Sequence, residues 1–444
     1  MKLNTKNTVL VGFAFMAICA FWQMYDGVIP KILTETFNIS ESVSGYIMAA
    51  DNILALFLLP FFGGISDRSH FKMGRRRPFI LIGTLLSVAF MIFLPIIDDS
   101  YYASPAASKL ILFVATLGLV LFAMGIYRSP AVALMPDVTP KPLRSKANAI
   151  INVMGALGGI IYLILTSILY SPAKTESLEH ISYTPLFIIV AFIMLIALAV
   201  VMLCVNEPKL CKKLSEYEKD HPEESLSEEK NESGKTILPK AVKKSLFFVL
   251  ISISLWYTAY NGVSTWFTTY AKKVWDMDIG IASLCLTVAT AGAFVSFIPA
   301  GAIAEKMGRK RTIQIGVLLL MLCFASGFVC ALVFNHFKPI LYVIFALVGL
   351  AWALINVNSL PMVVEMCSGL DVGRFTGYYY AFSMSAQIIT PILAGYLLEN
   401  VGYKVLFLYS SVFSLLAFIT MCFVKHGDSK AQIKKGLEAF DVED

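Results

Sequence analysis

Residues 63–78 read GGISDRSHFKMGRRRP, and residues 301–311 read GAIAEKMGRKR. Each stretch has a glycine, then an acid next to a base, then a second glycine followed by consecutive bases. The first glycines of the two stretches lie 238 residues apart, and each stretch follows a long apolar segment. This repeat predicts that the chain contains two related halves.

A second repeat supports the first. Pro136-Asp137 is followed by Arg144, and Pro361 is followed by Glu365 and Arg374, with the two prolines 225 residues apart. An acid at a helix end can accept hydrogen bonds from the N-terminus of a neighbouring helix and can pair with a loop arginine. Links of this kind can form and break as a cavity opens and closes.

The candidate gating residues are Asp67, Arg68, Arg75, Asp137, Arg144, Glu305, Arg309, Glu365 and Arg374. The alternative is that these charges only set the topology.

The composition places the protein in a membrane. Of its 444 residues, 57% are hydrophobic and 15% are charged, whereas soluble globular proteins carry roughly 25% charged residues. A soluble enzyme is therefore not expected, and no phosphate-binding loop or histidine pair at metal-ligand spacing occurs. Apolar segments long enough to cross a bilayer predict an all-α polytopic membrane protein with twelve transmembrane helices, at about 8–33, 42–65, 78–97, 109–135, 147–170, 183–205, 245–270, 280–304, 312–334, 339–364, 375–397 and 402–424.

Positive charge sets the predicted orientation. With both termini on one side, 28 of the 36 Lys and Arg residues fall on that side, seven fall on the other, and Arg128 lies within a segment. Positive charge is retained in the cytoplasm, so we expect a multi-pass protein of the cell membrane with both termini cytoplasmic.

The longest polar stretch divides the segments six and six. Residues 207–244 hold nine basic and nine acidic residues, a mixture typical of a solvated linker and not of a nucleic-acid-binding surface. The predicted organisation is a six-helix bundle at 1–206, a cytoplasmic linker at 207–244, a second bundle at 245–424 and a cytoplasmic tail at 425–444. Duplicated six-helix units are common in secondary transporters, with the substrate site between the halves.

These loops carry a family resemblance. Residues 301–310 resemble, without a gap, the signature loop of the major facilitator superfamily, and the first copy has four extra residues before GRRRPF at 74–79. That expanded form, together with ALMPD at 133–137 and RSKANA at 144–149, resembles the plant sucrose transporters and their animal and bacterial relatives, near the glycoside–pentoside–hexuronide symporters. The resemblance implies two pseudo-symmetric six-helix halves and proton-coupled transport of a sugar.

One departure limits this resemblance. The plant members are expected to hold a proton-coupling acid in their fourth helix, but the fourth segment here has no Asp or Glu and carries Arg128 instead. Coupling would therefore use a different acid.

Charged groups inside a bilayer are costly and are functional candidates by default. Asp26, Asp51 and Arg128 are the candidates here, and Asp26 and Asp51 are the candidate coupling residues. Asp26 could instead lie in solvent near a helix end, and Asp51 could form a fixed ion pair with Arg128. Arg128 could equally be a structural tie to an acid or a substrate contact.

Polar and aromatic side chains at helical spacing suggest a sugar site, since hydroxyls need donors and acceptors while an apolar sugar face packs on a ring. Small residues in the same stripes, such as Gly155 and Gly159, favour helix packing instead. The candidate substrate-binding residues are Trp22, Gln23, Asp26, Asn52, Arg128, Asn152, Tyr257, Tyr260, Asn261, Asn356 and Gln387.

The combined hypothesis is a monomeric secondary active transporter that takes up a sugar or glycoside, such as sucrose or maltose, by alternating access. It would use no cofactor, with protons, or alternatively sodium, as the coupling ion. Loss of hydration favours the protonated form of a carboxyl group, which suits proton coupling. A drug or metabolite exporter of the same fold is the first alternative, and a non-transporting membrane sensor is the second. The expected partners are a small-molecule substrate and the lipid bilayer, without nucleic acid.

Overall fold

A computed structural model describes residues 3–170, 179–220, 229–230, 236–237, 239–277, 279–334, 336, 338–367 and 371–428. Within these residues, twelve helices are long and apolar enough to cross a membrane. They confirm the predicted fold class and all twelve predicted segments. The protein is therefore a multi-pass membrane protein.

The spanning helices are numbered here in chain order. They are α1 (Thr5–Lys31), α2 (Glu41–Asp67), α3 (Arg77–Ala103), α4 (Ala107–Asp137), α5 (Arg144–Leu169), α6 (Thr184–Cys204), α7 (Lys240–Trp275), α8 (Ile279–Met307), α9 (Arg309–Val333), α10 (Ile340–Val364), α11 (Val372–Asn400) and α12 (Val405–Cys422). A π-helical turn, Ile32–Thr36, prolongs α1, and a 3-10 turn, Lys141–Leu143, precedes α5.

Most helices are longer than the apolar segments that predicted them. Helical hydrogen bonds can continue beyond an apolar segment, and a capping side chain that accepts from the free N–H groups of the first turn can fix where the helix starts. Asn4, for example, accepts a hydrogen bond from the Asn7 N–H at 3.1 Å, so α1 starts three residues before its predicted segment.

The predicted linker contains a helix, Glu207–Asp220, which we call the linker helix, and two antiparallel two-residue strands, β1 (Glu229–Lys230) and β2 (Thr236–Ile237). The other linker residues, 221–228, 231–235 and 238, and residues 429–444 of the predicted tail lie outside the described residues. The predicted boundaries at 206, 244 and 424 stay a prediction.

Within the first six helices, α1 packs on α5 and α6, and α3 packs on α4; within the last six, α10 packs on α8 and α9, and α12 packs on α7 and α9. The two sets meet where α2 packs on α11 and where α5 packs on α8. Large apolar side chains remain exposed on the outer helix surfaces, as at Leu203, Val295 and Ile392, which is the surface that a lipid bilayer covers.

The chain start and the loops after the even-numbered helices meet on one face of the bundle, which we call the terminal face. Leu3 and Asn4 lie beside Thr139 and Leu210 there, and the Arg75 N–H donates to the Glu207 carboxylate. The other end of the bundle is called the opposite face.

Candidate functional site

Two acids lie at similar depth along their helices, and Asp26 is exposed whereas Asp51 is half-buried. Asp26 is ten residues before the end of the π-helical turn, and Asp51 is ten residues after the start of α2. At 1.5 Å per residue, both lie about 15 Å from the opposite-face ends of their helices. The extension of α1 to Thr36 places Asp26 deeper than its segment at 8–33 indicated.

Arg128 lies nearer the terminal face and is held between aromatic rings. Its guanidinium carbon is 5.2 Å from the ring centroid of Trp22 in α1 and 4.8 Å from that of Tyr380 in α11. Arg128 Nε and Trp22 Nε1 are buried and have no hydrogen-bond partner among the described residues. The first six and the last six helices thus share a cationic group with free donors.

The acids and Arg128 interact by charge without pairing. Arg128 lies within electrostatic range of both Asp26 and Asp51. In the part of the chain that the structure describes, no ion pair of 4.0 Å or less joins Arg128 to either acid. The geometry does not contain the direct Asp51–Arg128 pair that was the structural alternative for these residues.

The last six helices contribute an aromatic and hydroxyl cluster. The rings of Tyr260 and Trp352 stack with centroids 4.0 Å apart, and Tyr257 meets the same indole edge-on at 5.0 Å. The Tyr257 hydroxyl is 3.1 Å from that of Tyr379, which is 3.2 Å from Ser359 Oγ. Three residues of this cluster, Trp352, Tyr379 and Ser359, were not among the predicted site residues.

The other predicted binding residues differ in burial and in hydrogen bonding. Asn261 Nδ2 is buried without a hydrogen-bond partner among the described residues. Gln23 is exposed within α1, whereas Asn52, Asn152, Asn356 and Gln387 are half-buried. The Asn152 amide donates to the Asn148 carbonyl of its own helix at 2.8 Å, so part of its hydrogen-bonding capacity is already used.

On the terminal face, Asp67 joins the two sets of helices. Its carboxylate accepts hydrogen bonds from the Gly373 and Arg374 N–H groups, at 2.8 and 2.7 Å, at the N-terminus of α11. The same carboxylate pairs with the buried Arg76, which also contacts Asp137 at 2.6 Å. This is the predicted arrangement of an acid at the N-terminus of another helix, with Arg76 as its partner.

The second repeat forms a related group. Arg309 pairs with Glu365 and crosses to the first six helices, where it donates to Ser145 Oγ at 2.7 Å and to the Lys141 carbonyl. Lys146 and Glu305 form a further link of 3.3 Å between α5 and α8. Arg144 donates to the Val364 carbonyl at 3.4 Å.

The remaining predicted gating residues, Arg75, Arg374 and Arg68, differ in the partners of their side chains. Arg75 pairs with Asp137 at 2.8 Å. The Arg374 side chain donates to the Tyr378 hydroxyl at 2.7 Å. Arg68 is exposed, and within the described ranges its side chain forms no ion pair. The three bases in GRRRP did not indicate which one would be buried, and Arg76 occupies that position.

Two further acids were missed by the sequence prediction. Glu207 accepts hydrogen bonds from the Arg75, Arg76 and Arg77 N–H groups at the start of α3, at 2.8 to 3.2 Å. Asp428 accepts one from the Arg309 N–H at the start of α9, at 2.5 Å. Each acid follows the last helix of its set of six, so their matching positions after α6 and α12 were the available signal.

Two cysteines near the terminal face, Cys211 and Cys367, are half-buried and buried respectively. Burial raises the pKa of Cys211 to about 12 and that of Cys367 to about 12. Burial therefore favours the neutral thiol over the thiolate at both positions.

A model of the Major Facilitator Superfamily matches residues 11–335 and 272–442. The chain belongs to the major facilitator superfamily. This major facilitator protein is accordingly a transporter and not an enzyme. Over 429 residues it is 25% identical to an uncharacterized MFS-type transporter of Methanocaldococcus jannaschii, with 95% of each chain covered.

Relatives with a stated function differ in what they transport. A sucrose transport protein of Arabidopsis thaliana is 32% identical over 173 residues, which are 35% of this chain and 29% of that protein. A multidrug resistance protein of Escherichia fergusonii is 20% identical over 414 residues, covering 92% and 90% of the two chains.

The solved structures agree with the fold. A crystal structure of the E. coli fucose:proton symporter FucP superimposes with a TM-score of 0.69 at 14% identity, over 95% of this chain and 98% of that one. At this identity the match shows the major facilitator fold.

Proposed function

We propose that this major facilitator protein is a proton-coupled transporter that takes up a sugar or glycoside across the cell membrane, with both termini in the cytoplasm. The observation that carries the proposal is the position of Arg128 between Trp22 and Tyr380, with free donors on Arg128 and Trp22. Sugars are bound by such donors together with ring faces.

The terminal-face contacts support alternating access. Asp67 at the N-terminus of α11 and Arg309 at the loop before α5 link the two sets of helices on one face. Gly63 and Gly373 also approach so closely there that a Cβ on either residue would overlap the other backbone. The proposed cycle opens the opposite face while these contacts hold and the terminal face when they break.

Asp26 and Asp51 are the proposed coupling residues. Both lie nearer the opposite face than Arg128 does, and among the described residues neither forms a direct ion pair with it. A carboxyl group that loses hydration when the cavity closes binds a proton more readily. Substrate entry and proton binding would thereby be linked.

Transport into proteoliposomes tests the proposal. Purified protein is reconstituted, an inward proton gradient is imposed, and uptake of labelled sucrose and maltose is measured with and without a protonophore. We expect accumulation that the protonophore abolishes. If accumulation persists with the protonophore and depends on a sodium gradient, the coupling ion is sodium and not the proton.

Substitution separates coupling from binding. In Asp51→Asn we expect gradient-driven accumulation to be lost while exchange of sugar across the membrane persists. Asp276→Asn, at an exposed acid that follows α7, is the matched control and should keep both. Full accumulation by Asp51→Asn would remove Asp51 from the coupling role.

The exporter alternative rests on the multidrug resistance relative. The same vesicles distinguish the two functions, since an exporter would move apolar cations out in exchange for protons and leave sucrose and maltose untransported. The polar groups around Arg128 and Tyr257 favour a hydroxylated substrate over an apolar one.

A further inference from the structure

Away from Arg128 and the terminal-face contacts, a cluster of metal-ligating side chains lies at the opposite face. Asp98 and Asp99 are near the end of α3, and His180 precedes α6. One ligand atom from each residue lies within 4.8 Å of the other two. The Tyr102 ring stacks on the His180 imidazole, with centroids 4.3 Å apart and 10° between the planes, and so fixes the orientation of the ring.

The Asp99 carboxylate has three hydrogen-bonding neighbours. Its Oδ2 accepts from the hydroxyls of Ser182 and Thr184, at 2.7 and 3.0 Å, at the start of α6. Its Oδ1 is 3.0 Å from His180 Nε2. These contacts hold the carboxylate and the imidazole side by side.

Asp98 is buried and unsatisfied. Its side chain is fully buried, and neither carboxylate oxygen has a hydrogen-bond partner among the described residues. The Thr36 hydroxyl is a neighbour, but the geometry between them is not that of a hydrogen bond. A buried carboxylate without partners is costly, and it is stabilised by a cation.

Among the described residues, no lysine or arginine balances the two carboxylates. Within the described residues, no Lys or Arg lies within 4.0 Å of Asp98 or Asp99. Lys109, a nearby base in sequence, is bound to the Ser100 and Ser104 carbonyls. The C-terminal end of α3 adds partial negative charge at the same place.

We propose that Asp98, Asp99 and His180 form a binding site for a divalent transition-metal ion of the zinc class. Two carboxylates and one imidazole are a ligand set for Zn²⁺ and its neighbours, whereas Mg²⁺ and Ca²⁺ prefer oxygen alone. Asp98, Asp99 Oδ1 and His180 Nε2 are the three protein ligands, with water in the remaining position.

A bound ion requires small shifts of the ligand atoms, with the 3.0 Å separation of His180 Nε2 and Asp99 Oδ1 widening slightly and the longer separations contracting. Bonds of about 2.0–2.1 Å in a tetrahedral site place ligand atoms about 3.4 Å apart, compared with separations of up to 4.8 Å here. The Ser182 and Thr184 hydroxyls donate to Asp99 Oδ2 and would orient Asp99 Oδ1 toward the ion, as outer hydrogen bonds orient metal ligands. The ion would tie the end of α3 to the start of α6 on the opposite face.

Titration with Zn²⁺ alone tests the site. The full chain, purified in detergent and freed of metal with a chelator, is titrated by calorimetry at pH 7, and thermal unfolding is followed with and without Zn²⁺. We expect one Zn²⁺ per chain, a raised unfolding temperature, and at least a tenfold weaker Kd in both Asp98→Asn and His180→Gln. Absence of Zn²⁺ binding by the parent protein overturns the proposal.

His70→Gln is the matched control, since His70 is an exposed histidine on the terminal face. Its Zn²⁺ affinity should equal that of the parent, and unchanged affinity in His180→Gln would assign the bound ion to another place. The unfolding temperature without metal shows that each variant is folded. Asp98→Asn should raise that temperature, because it removes an uncompensated buried charge.

Discussion

Arg128 combines a charge with two aromatic faces and free hydrogen-bond donors. A planar guanidinium can stack on two rings and still direct its N–H groups to a ligand, whereas an ammonium is a compact charge without that geometry. The role of this residue therefore depends on the shape of the cation and not only on its sign.

Arg128→Lys should reduce uptake of the transported sugar about tenfold in Vmax/KM. Loss of the stacking on Trp22 and Tyr380 and of the fixed donors costs about 1–2 kcal/mol, and about 1.4 kcal/mol is tenfold. Initial rates in proteoliposomes over a range of sugar concentrations measure the effect. Arg68→Lys, at an exposed arginine, is the control, and equal Vmax/KM in the two variants would contradict a stacking role for Arg128.

At the scale of single helices, the first turns of α3 and α9 are capped by acids from distant positions in the chain. Glu207 accepts hydrogen bonds from the N–H groups of Arg75, Arg76 and Arg77, which precede and begin α3, and Asp428 accepts one from the Arg309 N–H of α9. A carboxylate at a helix N-terminus is stabilising both through hydrogen bonds and through the helix dipole. These contacts fix the loops that carry Arg76 and Arg309.

Glu207→Gln should lower the free energy of unfolding by about 1–3 kcal/mol, since its amide NH2 would face the Arg77 N–H and leave a buried donor unsatisfied. Thermal unfolding in detergent provides the measurement. Glu216→Gln, at an exposed acid of the linker helix, should change stability by less than about 0.5 kcal/mol. If the two variants unfold alike, Glu207 does not support α3.

At the scale of the whole molecule, α2 and α11 are joined on the terminal face by the Asp67 carboxylate. It accepts two N–H groups of α11 and pairs with Arg76 of its own set of helices. Removing one partner of a buried pair costs about 3–5 kcal/mol. A change of this size is enough to shift an equilibrium between two conformations by more than about 100-fold.

Asp67→Asn should therefore populate conformations that are open at the terminal face. Distances between spin labels at the exposed positions Arg68 and Lys306, measured by pulsed electron paramagnetic resonance on a background without reactive cysteines, should lengthen. Asp371→Asn removes a neighbouring acid that does not cap α11 and should leave the distances unchanged. Identical distributions for Asp67→Asn and the parent would show that this contact does not keep the face closed.

The sequence by itself determined the membrane class, the twelve helices and the two repeated loops. Bilayer thickness fixes the length of an apolar segment, and a duplicated loop keeps its acid and bases in register. The same patterns indicated Asp67, Asp137, Arg309 and Glu365. An acid at a helix end can accept hydrogen bonds from a neighbouring helix N-terminus and pair with a loop arginine.

Only the tertiary structure decided which side chains meet. It selected Arg76 from three consecutive arginines, brought Glu207 to a helix that begins 130 residues earlier, and set Tyr380 against Arg128. It also collected Asp98, Asp99 and His180 from two separate helix ends. Such contacts depend on the packing of helices that are distant in the chain, and helical periodicity along a single segment carries no information about that packing.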